Sequence, residues 1–169
     1  MNSIDRKVLD IVGGFIYNPK TDLYLLVLDP KRGIKFYSET IEPGERRITA
    51  FKRGLREEAG AIIKKDSLEQ VLEYTAPGMR GDDLHKTVYY AEVSEIGKPT
   101  KPGEAEPIWV DLQGLRKYRT NCKIDYLRMK NELNGSTEKL RLLQYQQNKL
   151  SEADLFLDII ENRVLRTNR

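Results

Sequence analysis

The period of the apolar residues changes at Glu45, and this change constrains the fold more than any other feature of the chain. Before it, residues 8–17 (VLDIVGGFIY) and 23–28 (LYLLVL) are apolar runs. The turn cluster Asn18-Pro19-Lys20-Thr21-Asp22 separates them, and a turn between Pro30 and Gly33 closes the second. Runs of this length joined by turn chemistry predict a β-hairpin. A short run over 33–37 precedes a segment, Ser38-Glu39-Thr40-Ile41-Glu42-Pro43-Gly44, that reads as a loop. After Glu45, residues Ile48, Phe51, Leu55 and Ala59 recur at spacings of three and four, which predicts one apolar stripe on a helix stopped by Gly60. Further strands are expected over 68–74, 84–93 and 106–112, with a glycine-containing loop between Pro77 and Asp83. The remainder reads as helix: 115–133, a break at Asn134-Gly135, then 136–166 as two helices meeting near Ser151, with Ser136-Thr137-Glu138 supplying an N-cap. Mixed strands followed by helices imply an α+β sandwich with a C-terminal helical extension, divided here as 1–118 and 119–169.

Composition narrows the chemistry. A chain of 169 residues, 39% apolar, supports one ordinary core with a helical appendage. No apolar run approaches the ~18–20 residues of a membrane span, and the start, Met1 to Lys7, lacks an apolar leader. One cysteine, Cys122, forms no internal disulfide, and one histidine, His85, builds no Cys/His zinc site. These features point to the cytoplasm and to polar chemistry resting on carboxylates. The charge of +3, from 29 Lys+Arg against 26 Asp+Glu, is too balanced to argue for nucleic acid.

The carboxylates concentrate in residues 39–61, ETIEPGERRITAFKRGLREEAGA. Glu57 and Glu58 stand side by side near the helix end, Glu57 one turn from Arg53 and Glu58 one turn from Gly54. Glu45 stands at the helix start after Pro43-Gly44. Carboxylates gathered on one helical edge suit a hard divalent cation, Mg²⁺ or Mn²⁺, which takes oxygen ligands and bridges phosphates.

This segment resembles the Nudix box, the loop–helix signature G-x5-E-x7-R-E-U-x-E-E-x-G-U of hydrolases acting on a nucleoside diphosphate linked to another moiety. Glu45, Arg53, Leu55, Glu57, Glu58 and Gly60 match it in order, and Ala61 occupies its last position. Ile41-Glu42-Pro43-Gly44 resembles the turn into that helix, and Glu106 to Leu112 resembles the family's late strand, so the likeness spans roughly residues 8–118. It implies an α/β/α sandwich on a mixed sheet, with Glu45, Glu57 and Glu58 as metal ligands and Arg53 orienting one of the carboxylates. Arg53 pairing with Glu57 along the helix is the plain structural alternative.

Two positions depart from the box. Its opening glycine is Glu39, and the glutamate expected after Arg53, a metal ligand and often the general base, is Gly54. A helix-interior glycine costs ~1 kcal/mol relative to alanine, and this one removes a ligand as well. A replacement carboxylate must then come from Glu39, Glu42, Glu104 or Glu106; as general base, Glu104 and Glu106 are the leading choices. Arg46, Arg47, Arg80 and Lys86 are candidate phosphate contacts. Pro77-Gly78 resembles an element of ADP-ribose pyrophosphatases, and Tyr89-Tyr90 resembles the tyrosines of dinucleoside polyphosphate hydrolases. The resemblance therefore implies a pyrophosphohydrolase of the nucleotide-sugar or dinucleoside polyphosphate class, its activity reduced by Gly54. The alternative is an inactive Nudix-fold module binding nucleotide or RNA. His85, Trp109 and Cys122 read as structural. The apolar stripe of the tail needs cover, either the domain's own flank or a second copy of the chain in a homodimer.

Overall fold

The structure is a computed structural model that describes residues 7–78, 82–132 and 135–167, with side chains to 163. Its elements run β1 (Val8–Asn18), β2 (Leu23–Asp29), β3 (Gly33–Lys35), β4 (Tyr37–Thr40), α1 (Arg47–Ala59), β5 (Ala61–Ile63), β6 (Glu69–Pro77), β7 (Asp83–Ile96), β8 (Glu106–Val110), α2 (Leu112–Asn131) and α3 (Thr137–Thr167). They divide into two units. One holds the described residues to Ala76 with Asp82–Asp111, and the other holds the helices from Leu112 onward.

The first unit is a mixed sheet. Its central path is β3-β2-β1-β7-β5, with β4 beside β1, β6 beside β7 and β8 beside β2. The predicted hairpin forms, Tyr17 opposite Tyr24 and Asn18 opposite Leu23. The long partnership is parallel, Val8 to Tyr17 along Asp83 to Glu92, and this parallel pair makes the sheet mixed. The segment read as a loop after Tyr37 is instead β4, antiparallel to β1, with Gly14 opposite Tyr37 and Val12 opposite Glu39. A period of two puts Tyr37 and Glu39 on one face of this strand.

Helix α1 packs against β1 and β4. Its buried residues are Ala50, Phe51, Gly54, Leu55, Glu58 and Ala59. Ile48, expected in the stripe, is 40% exposed. The stripe is completed instead by Ala50, Gly54 and Glu58, each four residues after the last and so one row on the helix. Close approach to β1 depends on Gly14, where an added Cβ would lie 2.6 Å from the Phe51 ring. The ring stands edge-on to Tyr37 and Tyr89, at centroid distances of 5.6 and 5.3 Å. Tyr89 and Tyr90, whose pairing resembles the tyrosines of dinucleoside polyphosphate hydrolases, are buried. Trp109 packs against the same cluster. Helix α1 ends where Gly60 turns left-handed at φ 63° and returns its N–H to Arg56 and Leu55.

In the second unit α2 and α3 pack on each other, with Arg119 to Asp154 at 2.6 Å and Arg116 to Glu161 at 3.3 Å. Cys122 is buried there. The junction expected near Ser151 is absent: α3 runs unbroken from Thr137 to Thr167, because no glycine or proline interrupts it and Glu152, Ala153 and Phe156 are buried in its middle. Among the described residues no helix is long and apolar enough to cross a membrane.

Candidate active site

The candidate site forms where β4, α1 and the loop after β7 meet. The loop is tied to the end of α1 by its backbone: Thr100 N–H donates to the Arg56 carbonyl (3.4 Å) and Lys101 N–H to the Glu57 carbonyl (3.0 Å). Carbonyls orphaned at a helix end are thereby satisfied, and the loop is fixed where its side chains reach the box glutamates. Lys101 Nζ sits 2.9 Å from Glu57 Oε1.

Arg53 organises the acidic edge. Its Nε and Nη2 donate to the two oxygens of Glu45 at 2.9 and 3.0 Å, Nη1 donates to Glu57 at 3.2 Å, and Nη2 also reaches the Thr40 carbonyl at 3.3 Å. Glu39 and Glu42 each stand 3.9 Å from the guanidinium. The two-point hold on Glu45 keeps the guanidinium charged and pulls the Glu45 carboxyl below its ordinary range. Arg53 thus pairs along the helix with Glu57, the plain structural alternative, and also grips Glu45 at two points.

Glu58 is different. It is 9% exposed, and its Oε2 is buried with no hydrogen-bond partner among the described residues. Burial, opposed by Lys35 and reinforced by Glu39, Glu104 and Asp29, pushes its carboxyl up to about 7. Lys35 is itself drawn down by burial, against the attraction of Glu58 and Asp29; its Nζ donates to Ser38 Oγ at 2.8 Å and lies 4.0 Å from Asp29. Burial likewise raises the Glu39 carboxyl, while Arg53 and the Thr40 N–H, 2.9 Å from its Oε1, oppose that rise.

The remaining expected residues are less concentrated. Glu104 is exposed and adds negative potential at both Glu39 and Glu58. Glu106 is exposed on β8 opposite Leu28. Arg46 is the exposed residue before α1, whose side chain makes no capping bond, and Arg47 pairs with Glu73 at 3.2 Å. Lys86 lies across Gly13, where an added Cβ would come 2.7 Å from its Cε. Pro77 is exposed at the end of β6, and Arg80 lies outside the described residues. His85 bridges Asp10 and Glu73, 2.8 Å from each. Sequence reasoning did not single out Asp29, Lys35, Tyr37 or Lys101. The alternation of Tyr37 with Glu39 on one strand face was the available signal.

Among the described residues no three carboxylates converge on a point where an ion could be held as the side chains stand. The chemistry of the donors nevertheless fits a hard divalent cation: Glu57 and Glu58 offer oxygen alone, and Glu58 Oε2 is buried with its valence unmet. The residues suit the ion but are held by Arg53, Lys101 and Lys35.

Comparison with known proteins agrees with this geometry. The family model of the NUDIX domain matches residues 8–129. A NUDIX-family hydrolase from Clostridium perfringens superposes with a TM-score of 0.57 at 19% identity, covering 89% of this chain and 97% of its own. A variant of the Bacillus subtilis pyrophosphohydrolase BsRppH gives 0.53 at 22% identity, covering 65% and 67%. A structure from work on the MutT proteins of Aliivibrio salmonicida and Vibrio cholerae gives 0.51 at 22%, covering 66% and 86%. No curated protein gives a significant match. With more than half its length matched by the family model and the box on the expected loop and helix, the chain belongs to the Nudix family.

Proposed function

We propose that the chain is a metal-dependent pyrophosphohydrolase acting on a nucleoside diphosphate linked to another moiety. The observation that carries this reading is the buried Glu58 oxygen with no partner among the described residues, on the residue next to Glu57, which Arg53 holds. Such an atom calls for an explanation, and a bound cation is one that a carboxylate oxygen in an acidic cluster supports. Glu57 and Glu58 are the residues that would hold Mg²⁺ or Mn²⁺. When bound, such an ion offsets charge on the diphosphate oxygens and on the leaving group. Glu45, gripped at both oxygens by Arg53, acts through that guanidinium as a positioning residue.

Glu104 is the better supported general base. It is solvent-accessible and exerts its negative potential on both Glu39 and Glu58. The base would take a proton from the water that attacks phosphorus. Arg46 and Lys86 are assigned to the substrate phosphates. The exposed Ile124 and Leu127 of α2 and Leu140 of α3 are the surface through which a second copy would pack, and a monomeric mass in solution would sink that assignment.

A second reading is a nucleotide- or RNA-binding module without turnover. It is favoured by the three cations already set against the acidic edge. The test is hydrolysis of nucleotide sugars, dinucleoside polyphosphates and nucleoside triphosphates with Mg²⁺, with Mn²⁺ and with chelator. Metal-dependent cleavage lost in Glu57→Gln and Glu58→Gln supports the enzyme. Nucleotide or RNA binding without cleavage supports the module.

A further inference from the structure

The two positions at which this chain departs from the box meet in space. Gly54 faces β4, and a Cβ built on it would lie 2.5 Å from Glu39 Oε2 and 2.7 Å from Glu39 Cγ, and against the Tyr37 hydroxyl. Real Cβ atoms do not approach other atoms so closely, so the volume of a side chain at position 54 is already taken. Tyr37 cannot easily yield it. The residue is fully buried and its hydroxyl donates to the Phe51 carbonyl at 3.0 Å. The occupant that can yield is therefore the side chain of Glu39, which enters from the strand and lays a carboxylate over the helix.

We propose that Glu39 and Gly54 are a matched pair, the strand glutamate bringing to the acidic cluster the carboxylate that the helix lacks, and the glycine admitting it. The inference rests on the metal-dependent reading of the same cluster and adds a third ligand to Glu57 and Glu58. Three observations support it. Glu39 shares a strand face with Tyr37, directed at the helix row Ala50, Gly54, Glu58. Its Oε1 is steadied by the Thr40 N–H at 2.9 Å, while Oε2, among the described residues, has a distant guanidinium at 3.9 Å. Glu58, in the same helix row as Gly54, is about nine-tenths buried and its Oε2 has no hydrogen-bond partner among the described residues. The helical cost of a mid-helix glycine, about 1 kcal/mol, thus has a counterpart in the carboxylate it lets in.

The pairing is tested by exchange. Mn²⁺ binding to the full chain is measured by electron paramagnetic resonance and calorimetry, and thermal unfolding is followed in chelator, for Glu39→Gly, Gly54→Glu, the double variant and the isosteric Glu39→Gln. Glu39→Gln is expected to fold normally and bind Mn²⁺ roughly tenfold or more weakly. Gly54→Glu, crowded against Glu39 and Tyr37, is expected to melt lower than wild type, and adding Glu39→Gly is expected to recover Mn²⁺ affinity and part of the melting temperature, the Tyr37 hydroxyl still crowding the position. Mn²⁺ binding unchanged in Glu39→Gln overturns the proposal, as does a double variant no better than Gly54→Glu alone, or a wild type that binds no Mn²⁺. Mn²⁺ binding that follows the exchange without any hydrolysis overturns only the hydrolase reading, so the two failures are distinct.

Discussion

Replacing Glu58 by glutamine keeps the shape of the side chain and deletes a charge that the fold accommodates badly. In the metal-free protein burial raises this carboxyl from 4.5 to about 7. At pH values above both, the native state holds an ionised group it disfavours. The sign follows: between those values the folded protein binds more protons than the unfolded chain, so wild-type stability falls as pH rises from about 4.5 through about 7. Each unit is about 1.4 kcal/mol, which sets an upper limit of about 3.5 kcal/mol. Two effects reduce it. Solvent on the open side of the cluster screens the charge, and Lys35 loses its strongest attraction when Glu58 becomes neutral. A net gain of roughly 1–2 kcal/mol at pH 8 remains, or about 3–6 °C in melting temperature for a chain of this size. Thermal unfolding in chelator from pH 4 to 8 reads it: the two proteins coincide at the acid end, the wild type declines with pH, and Glu58→Gln declines less. Parallel curves, or a variant less stable at pH 8, would refute the view that this carboxylate is an unmet charge.

Gly54→Ala improves helix propensity by ~1 kcal/mol but forces a methyl into space held by Glu39 and Tyr37, and a net loss of about 1–2 kcal/mol is expected by chemical denaturation. Adding Tyr37→Phe should recover part of it, because the hydroxyl is one of the obstructing atoms, and the pair should depart from additivity by at least about 0.5 kcal/mol. Gly60→Ala places a Cβ at φ 63° and against the Gly97 carbonyl, so it should cost more than about 2 kcal/mol in the same assay. Arg53→Lys replaces a planar fork that grips Glu45 at two points by a single ammonium; melting should fall by at least about 2 °C, while the exposed Arg56→Lys leaves it unchanged.

The elements that sequence reasoning located are those whose side chains obey one period. The β1–β2 hairpin and α1 lie where the apolar spacing put them, and the Arg53–Glu57 pair follows from a spacing of four alone. The misses have a shared physical cause. Counting apolar residues placed Ile48 in the stripe and left Glu58 outside it, yet Ile48 is exposed and the row Ala50, Gly54, Glu58 is buried, because packing against β1 and β4 decides which edge of a helix is covered. Strand β4 was invisible because Ser38, Glu39 and Thr40 are polar, and only pairing with β1 makes them a strand. The break expected at Ser151 assumed that a serine marks a helix boundary, whereas tertiary burial of Glu152 and Ala153 carries the helix through it.

A motif records order along the chain, whereas a cation responds to where oxygen atoms lie. Read by order, Glu39 and Gly54 are two defects, one adding a charge to a loop and one removing a charge from a helix. Read in space they occupy one volume, since the carboxylate of the first fills the room left by the second. The cations around the cluster sharpen the point. Arg53 and Lys101 satisfy Glu57, and Arg53 satisfies Glu45, so these carboxylates are stable in the folded chain without any ion. Among the described residues Glu58 has Lys35 as its main favourable electrostatic influence, and that lysine's own charge is disfavoured by burial, while Glu39 Oε2 meets Arg53 at a distance too long for a hydrogen bond. The two carboxylates left least satisfied thus come from different elements, one a helix and one a strand. Any divalent ion that binds here gains most by drawing those two together, and it must do so against the lysine between Glu58 and Asp29. Its affinity should therefore depend more on Lys35 than on Arg53, although Arg53 is the residue that the sequence motif marks.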